Sequence, residues 1–138
     1  MGIIIDTNIF INVEQKRFDL SLINNFAHYG EAYISAITVS ELLAGVHLAK
    51  SAEQHIQRSA FVENIIARMP VLEFNEEIAR VYAELYAFSL KIQGRGETKS
   101  NVHDLLIAST AIFNGFAVLT SNIDDFKNIP SLIVESPV

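Results

Sequence analysis

The sequence contains no cysteine, so no disulfide framework staples it and no thiolate can ligate a metal. No apolar run approaches the ~18 residues of a membrane span, and no basic n-region opens it. The expected setting is the cytoplasm, away from any membrane. Positive charge is scarce: 10 lysines and arginines against 16 aspartates and glutamates leave a net charge of −6, which argues against a broad basic surface for nucleic acid. It does not argue against a metal site, which needs clustered acids. Charged residues make up only 19% of the 138 and hydrophobic ones 50%, which excludes a disordered chain. One domain over residues 1–138, long enough to bury a real core, is expected.

What is present is organised around Ile3-Ile4-Ile5-Asp6-Thr7-Asn8. Three β-branched residues in succession predict a short strand buried on both faces, as in the centre of a parallel sheet. Turn and cap formers follow at once. A short helix is expected over Ile9–Val13, and a second from Leu20 to about His28, ended by Gly30. Ala32–Ser35 predicts the second strand, and Thr38-x-x-Glu41 has the spacing of a capping box opening the next helix. A long amphipathic helix spans Ala52–Met69 and stops at Pro70. Val71–Phe74 predicts a third strand, Asn75 caps a helix running to Leu90, and a polar loop covers Gly94–Ser100. Asn101 caps the helix Val102–Asn114, whose apolar run Leu105–Ala108 implies deep packing, with Gly115 as its stop. Phe116–Thr120 predicts the fourth strand, Ser121–Lys127 a turn, and Leu132–Val134 an edge strand. Strands alternating with helices give an α/β fold with a mainly parallel central sheet of four to five short strands flanked by helices.

On that map Asp6, Glu41, Asp104, Asp124 and Asp125 all fall at strand ends or helix beginnings. In a parallel sheet these positions face one edge, where open α/β folds gather their ligands. Each acid also has a plain local explanation. Asp6 can cap the helix after it, Glu41 and Asp104 sit at N3 positions facing a helix dipole, and Asp124 and Asp125 suit a turn. Their joint placement favours chemistry. Two carboxylates about 5 Å apart repel by roughly 3 kcal/mol at an effective dielectric of about 20. Such a cluster therefore keeps a proton on one member or holds a hard cation. An all-oxygen site suits Mg²⁺ or Mn²⁺, which activates water and stabilises charge on a phosphodiester.

Four segments then carry a resemblance: IIIDTNIFI at residues 3–11, ISAITVSELLAGV at 34–46, VHDLLIASTAIFNGFAVLTSNIDDF at 102–126 and IPSLIVES at 129–136. The chain resembles a PIN-domain ribonuclease, and within that family the VapC toxins of bacterial toxin–antitoxin pairs. The resemblance runs nearly end to end. It implies the PIN fold, a Mg²⁺-dependent endoribonuclease acting on RNA, a cognate antitoxin whose tail enters the acidic groove, and a homodimer. Asp6 and Asp104 match the family's principal metal-binding aspartates and Glu41 its glutamate. The last family motif, T-x-N-x-x-D-F, lands on Thr120, Asn122, Asp125 and Phe126. Asp125 is expected to complete the site, with Asn122 hydrogen bonding to the metal's water. Asp124 and Ser121 stand where relatives often carry basic residues, which leaves the rim less basic than usual.

Other residues are more ambiguous. Arg95 and Lys99 are the expected contacts to RNA phosphates, against a reading as solvated loop residues. His103 is expected to face solvent, and Tyr82, Tyr86 and Phe88 to lie in the core or an interface. The apolar helices between Ala52 and Leu90 exceed what the sheet needs, so the dimer or antitoxin surface is expected there. An aspartyl phosphatase would need a second acid two residues after Asp6, where the chain has Asn8. The competing class is a non-catalytic or weakly catalytic PIN-like module that binds another protein.

Overall fold

A computed structural model describes residues 1–94 and 101–137. Its strands β1 (Gly2–Ile5), β2 (Glu31–Ser35), β3 (Val71–Leu72), β4 (Ala117–Leu119) and β5 (Val134–Glu135) form one sheet in the order β3-β2-β1-β4-β5. Every neighbouring pair is parallel. Five α-helices flank it: α1 (Thr7–Glu14), α2 (Ala36–His47), α3 (Ala52–Arg68), α4 (Glu76–Gln93) and α5 (Val102–Asn114).

The isoleucine run explains why β1 is central. Ile3 and Ile5 enter one core with Phe10, Ile34, Leu42, Val62 and Ile65, while Ile4 enters the other with Leu85, Leu105, Ala108, Val118 and Phe126. All three isoleucines are almost completely buried, as alternation on a strand covered from both sides requires. α2 and α3 cover the first face; α4 and α5 cover the second. Along α5, Leu105 and Ile107 to Ala111 are buried, as its nearly all-apolar sequence implied. Gly115 then turns the chain with φ 72°, a left-handed conformation that ends the helix.

Two expected elements differ. The segment Leu20–Tyr29 is a 3₁₀ helix with a kink at Phe26, not an α-helix. Its apolar residues Leu20, Ile23, Phe26 and Tyr29 recur every third position and pack together on the first core, which three residues per turn satisfies. β3 pairs only over Val71–Leu72, because the chain leaves the ladder before Asn75 caps α4. The turn after β4 contains a further 3₁₀ turn, Ile123–Asp125.

The strand order supplies the link to function. From β1 the chain moves outward through β2 and β3, then returns to place β4 on the other side of β1. The direction of winding thus reverses between β1 and β4, and the crevice beyond their carboxyl ends is where such sheets bind ligands. Asp6 immediately follows β1 and Thr120 immediately follows β4.

Candidate active site

Asp6 lies in that crevice, only 3% exposed. Its Oδ1 accepts from Thr7 N at 2.8 Å, capping α1, and its Oδ2 accepts from the Thr120 hydroxyl at 2.8 Å. Both readings of Asp6 therefore hold at once: it caps a helix and lines the crevice. Thr120 Oγ1 in turn accepts from Asn122 N at 3.0 Å and Asn8 Nδ2 at 3.3 Å. Asn8 Oδ1 accepts from Ser121 N at 3.2 Å, so the loop after β4 is tied to α1.

Glu41 corrects the capping-box expectation. α2 starts at Ala36, and its cap is Ser35, whose hydroxyl accepts from Thr38 N at 3.1 Å. Glu41 is therefore in the second turn and is not spent on the helix end. Thr38, fully buried, instead shares a 2.9 Å hydrogen bond with the Thr7 hydroxyl. Thr7 donates to Glu41 Oε1 at 2.7 Å. Glu41 Oε2 stands 3.1 Å from Nδ1 of His103. His103 thus does more than face solvent, which sequence reasoning missed; adjacency to Asp104 was the one available signal.

Asp104 occupies the first turn of α5, behind its cap Asn101, whose side chain accepts from His103 N. Asp125 lies in the second 3₁₀ turn, where its Oδ2 accepts from Asn122 Nδ2 at 2.8 Å. Asn122, expected near a metal-bound water, directs its amide at Asp125. Asp124 turns outward, 3.6 Å from Lys127 Nζ, with its side chain 82% exposed. Arg95 and Lys99 lie outside the described residues.

The electrostatics bind four acids into one site. Burial pushes the Asp6 carboxyl up from 3.8 to about 6, against the opposing hydrogen bonds of Thr120 and Thr7, with Glu41 and Asp125 adding repulsion. Burial likewise pushes Asp104 up to about 7, reinforced by the charges of Asp6, Asp125 and Glu41 and opposed by His103. Asp125 is raised by burial and by its neighbour Asp124. Carboxylates 35, 63 and 21 residues apart along the chain (6 to 41, 41 to 104, 104 to 125) therefore feel one another directly. A group of acids that resists ionisation is short of positive charge.

The donor set is all oxygen, which fits a hard divalent cation. Among the described residues no group of three or more His, Asp or Glu side chains is arranged to hold a metal ion by itself. Mg²⁺ does not need one, because it keeps several waters and binds through one or two carboxylates. Beside Glu41 runs a cavity of about 190 Å³ between α1, α2 and α3, lined by Phe10, Ile11, Leu42, Arg58 and Phe61.

A parallel sheet carrying acids from four separate elements at its switch point is the architecture of a PIN domain, and the PIN domain family model matches residues 3–132. Ribonuclease VapC1 of Rickettsia felis is 38% identical over 138 residues, covering 97% of this chain and 95% of that protein. Ribonuclease VapC of Rickettsia bellii is also 38% identical with the same coverage. The crystal structure of VapBC2 from Rickettsia felis bound to a DNA fragment from its promoter superposes with a TM-score of 0.81 at 30% identity, covering 99% of this chain and 98% of that one. The chain belongs to the PIN-domain family, in its VapC branch.

Proposed function

We propose that the protein is a Mg²⁺- or Mn²⁺-dependent endoribonuclease acting in the cytoplasm as the toxin of a toxin–antitoxin pair. The observation that carries this reading is the convergence of Asp6, Glu41, Asp104 and Asp125 from four elements on one crevice, where burial and the charges of the other acids push Asp6 up to about 6 and Asp104 up to about 7. A fold that needed these acids only as helix caps would not set them against one another. The VapC relatives named ribonucleases support the substrate class, and the VapBC complex supports an antitoxin partner.

In this reading Asp6 and Asp104 would hold the cation through carboxylate oxygens, and Asp125 would complete the set through one of the waters the ion keeps. When bound, the ion lowers the pKa of a water and stabilises charge building on the phosphodiester. Thr120 and Thr7 N orient Asp6 by occupying one lone pair on each of its oxygens. Asn122 orients Asp125 in the same way, and its remaining amide hydrogen would serve the ion's water. Glu41, reached by Thr7 and His103, aligns the attacking water. Arg95 and Lys99 would be the contacts to RNA phosphates. The apolar groove beside Glu41 would receive the antitoxin segment that blocks it.

The decisive experiment incubates the purified protein with mixed RNA in Mg²⁺, in Mn²⁺ and in chelator. Cleavage is expected only with metal, and Asp104→Asn should lower it at least ~100-fold, since even losing a hydrogen-bonding partner of a metal ligand costs roughly 10–100-fold. Cleavage that persists in chelator would remove the metal. No cleavage, together with no heat of Mg²⁺ binding by calorimetry, would favour the protein-binding module.

A further inference from the structure

The Glu41 side chain has three rotatable bonds and shares the crevice with Asp6 and Asp104. Two contacts from two other helices fix where its carboxylate stands. Oε1 is held by Thr7 on α1, and Thr7 is itself backed by the buried Thr38. Oε2 is held by Nδ1 of His103 on α5, 62 residues away, whose side chain is 55% exposed. A carboxylate can only accept, so Nδ1 must carry the ring hydrogen. The Thr7 arm reaches Glu41 from the buried side, and the more exposed His103 arm from the outside.

We propose that His103 is a positioning residue that fixes the Glu41 carboxylate across the gap between α2 and α5. Without it, one oxygen of Glu41 loses its only partner from α5 and the carboxylate is fixed from one side alone. The kinetic side of this inference rests on the ribonuclease reading; the contact itself does not.

The test uses His103→Leu and His103→Asn, whose amide nitrogen reaches the place of Nδ1. In RNA cleavage His103→Leu should lower kcat about tenfold with KM little changed, the kinetic equivalent of one hydrogen bond to a charged group. His103→Asn should restore most of that loss. In a Glu41→Ala background, His103→Leu should have no further effect. An unchanged kcat, a raised KM with kcat intact, or an additive loss in the Glu41→Ala background would each overturn the proposal. Long-range ¹H–¹⁵N NMR of the metal-free protein, without RNA, reads the ring directly at about pH 8.5, where an ordinary imidazole is neutral. The hydrogen is expected on Nδ1 in the native protein and on Nε2 after Glu41→Ala; a native ring protonated on Nε2 would overturn the contact. Should the native ring give the Nδ1 signature while no RNA is cut, His103 holds Glu41 and the ribonuclease reading falls.

Discussion

At Asp6 a single carboxylate is desolvated, repelled by two neighbours and yet doubly hydrogen-bonded. These forces have opposite signs, and pH separates them. An unfolded aspartate loses its proton near 3.8, whereas in the fold Asp6 keeps its proton to about 6. Between those values the native state binds more protons than the unfolded one, so stability falls as pH rises through that window. The full contribution is present only below the unfolded value, and its loss is roughly 3 kcal/mol. Asp6→Asn removes the ionisation but cannot accept through both side-chain atoms, so it forfeits the bond from Thr120. Thermal melts of the metal-free proteins should therefore show the variant at least as stable as the native chain at pH 8 and less stable at pH 4. A variant less stable at both would mean that the cap outweighs the charge. Asp6 and Asp104 were legible in the sequence, because a residue directly after a β-branched run or inside a helix's first turn has a fixed place in a parallel sheet, whereas Glu41 was read one turn too early in its helix. The partners were not. Thr7 and His103 reach Glu41 across 34 and 62 residues, and no local pattern records such contacts.

The elements were mostly visible for the same reason, since periodicity and caps are local. Asn75, Asn101 and Gly115 end their helices where expected. The failures came where two local patterns compete. Ser35 and Thr38 both offer hydroxyls at the start of α2, and only the distant Thr7 decides which one is free for a tertiary contact. Leu20, Ile23 and Phe26 fit α-helical spacing loosely and 3₁₀ spacing better. On α4 the element scale also exposes a weakness. Ser89 is 3% exposed and its Oγ has no hydrogen-bond partner among the described residues. It lines a small crevice together with Leu85, Ile92, Leu105, Asn128 and Ile129. Burying a hydroxyl without a partner costs about 1–3 kcal/mol. Ser89→Ala should raise the stability measured by urea unfolding by about 1 kcal/mol; a loss would show that the hydroxyl finds a partner after all.

For the whole molecule, charge and apolar surface make separate predictions. The two most strongly raised acids must give up protons before a cation can bind, so Mg²⁺ should release protons on binding. Its apparent affinity, followed by calorimetry in buffers of different ionisation heat, should weaken steadily from pH 8 to pH 6, the range set by Asp6 and Asp104. An affinity flat across that range would place the ion elsewhere. The helices expected to form an interface do carry exposed apolar side chains: Ile56 on α3, and Tyr86, Phe88 and Leu90 on α4. Tyr82 and Tyr86 stack with ring centroids 5.8 Å apart along the same helix. Sedimentation equilibrium should show a dimer, and Ile56→Glu with Leu90→Glu should return it to a monomer; a native chain that sediments as one copy at every concentration would remove the dimer.

The place of β1 between β2 and β4 has a temporal consequence. Polypeptides are made from residue 1 onward, and Asp6 receives Thr120 as a partner only after some 114 further residues have been joined (120 minus 6). A nascent chain lacking β4 has an open flank on its central strand and no crevice at all. The crevice therefore comes into being only when residues late in the chain return to its first strand.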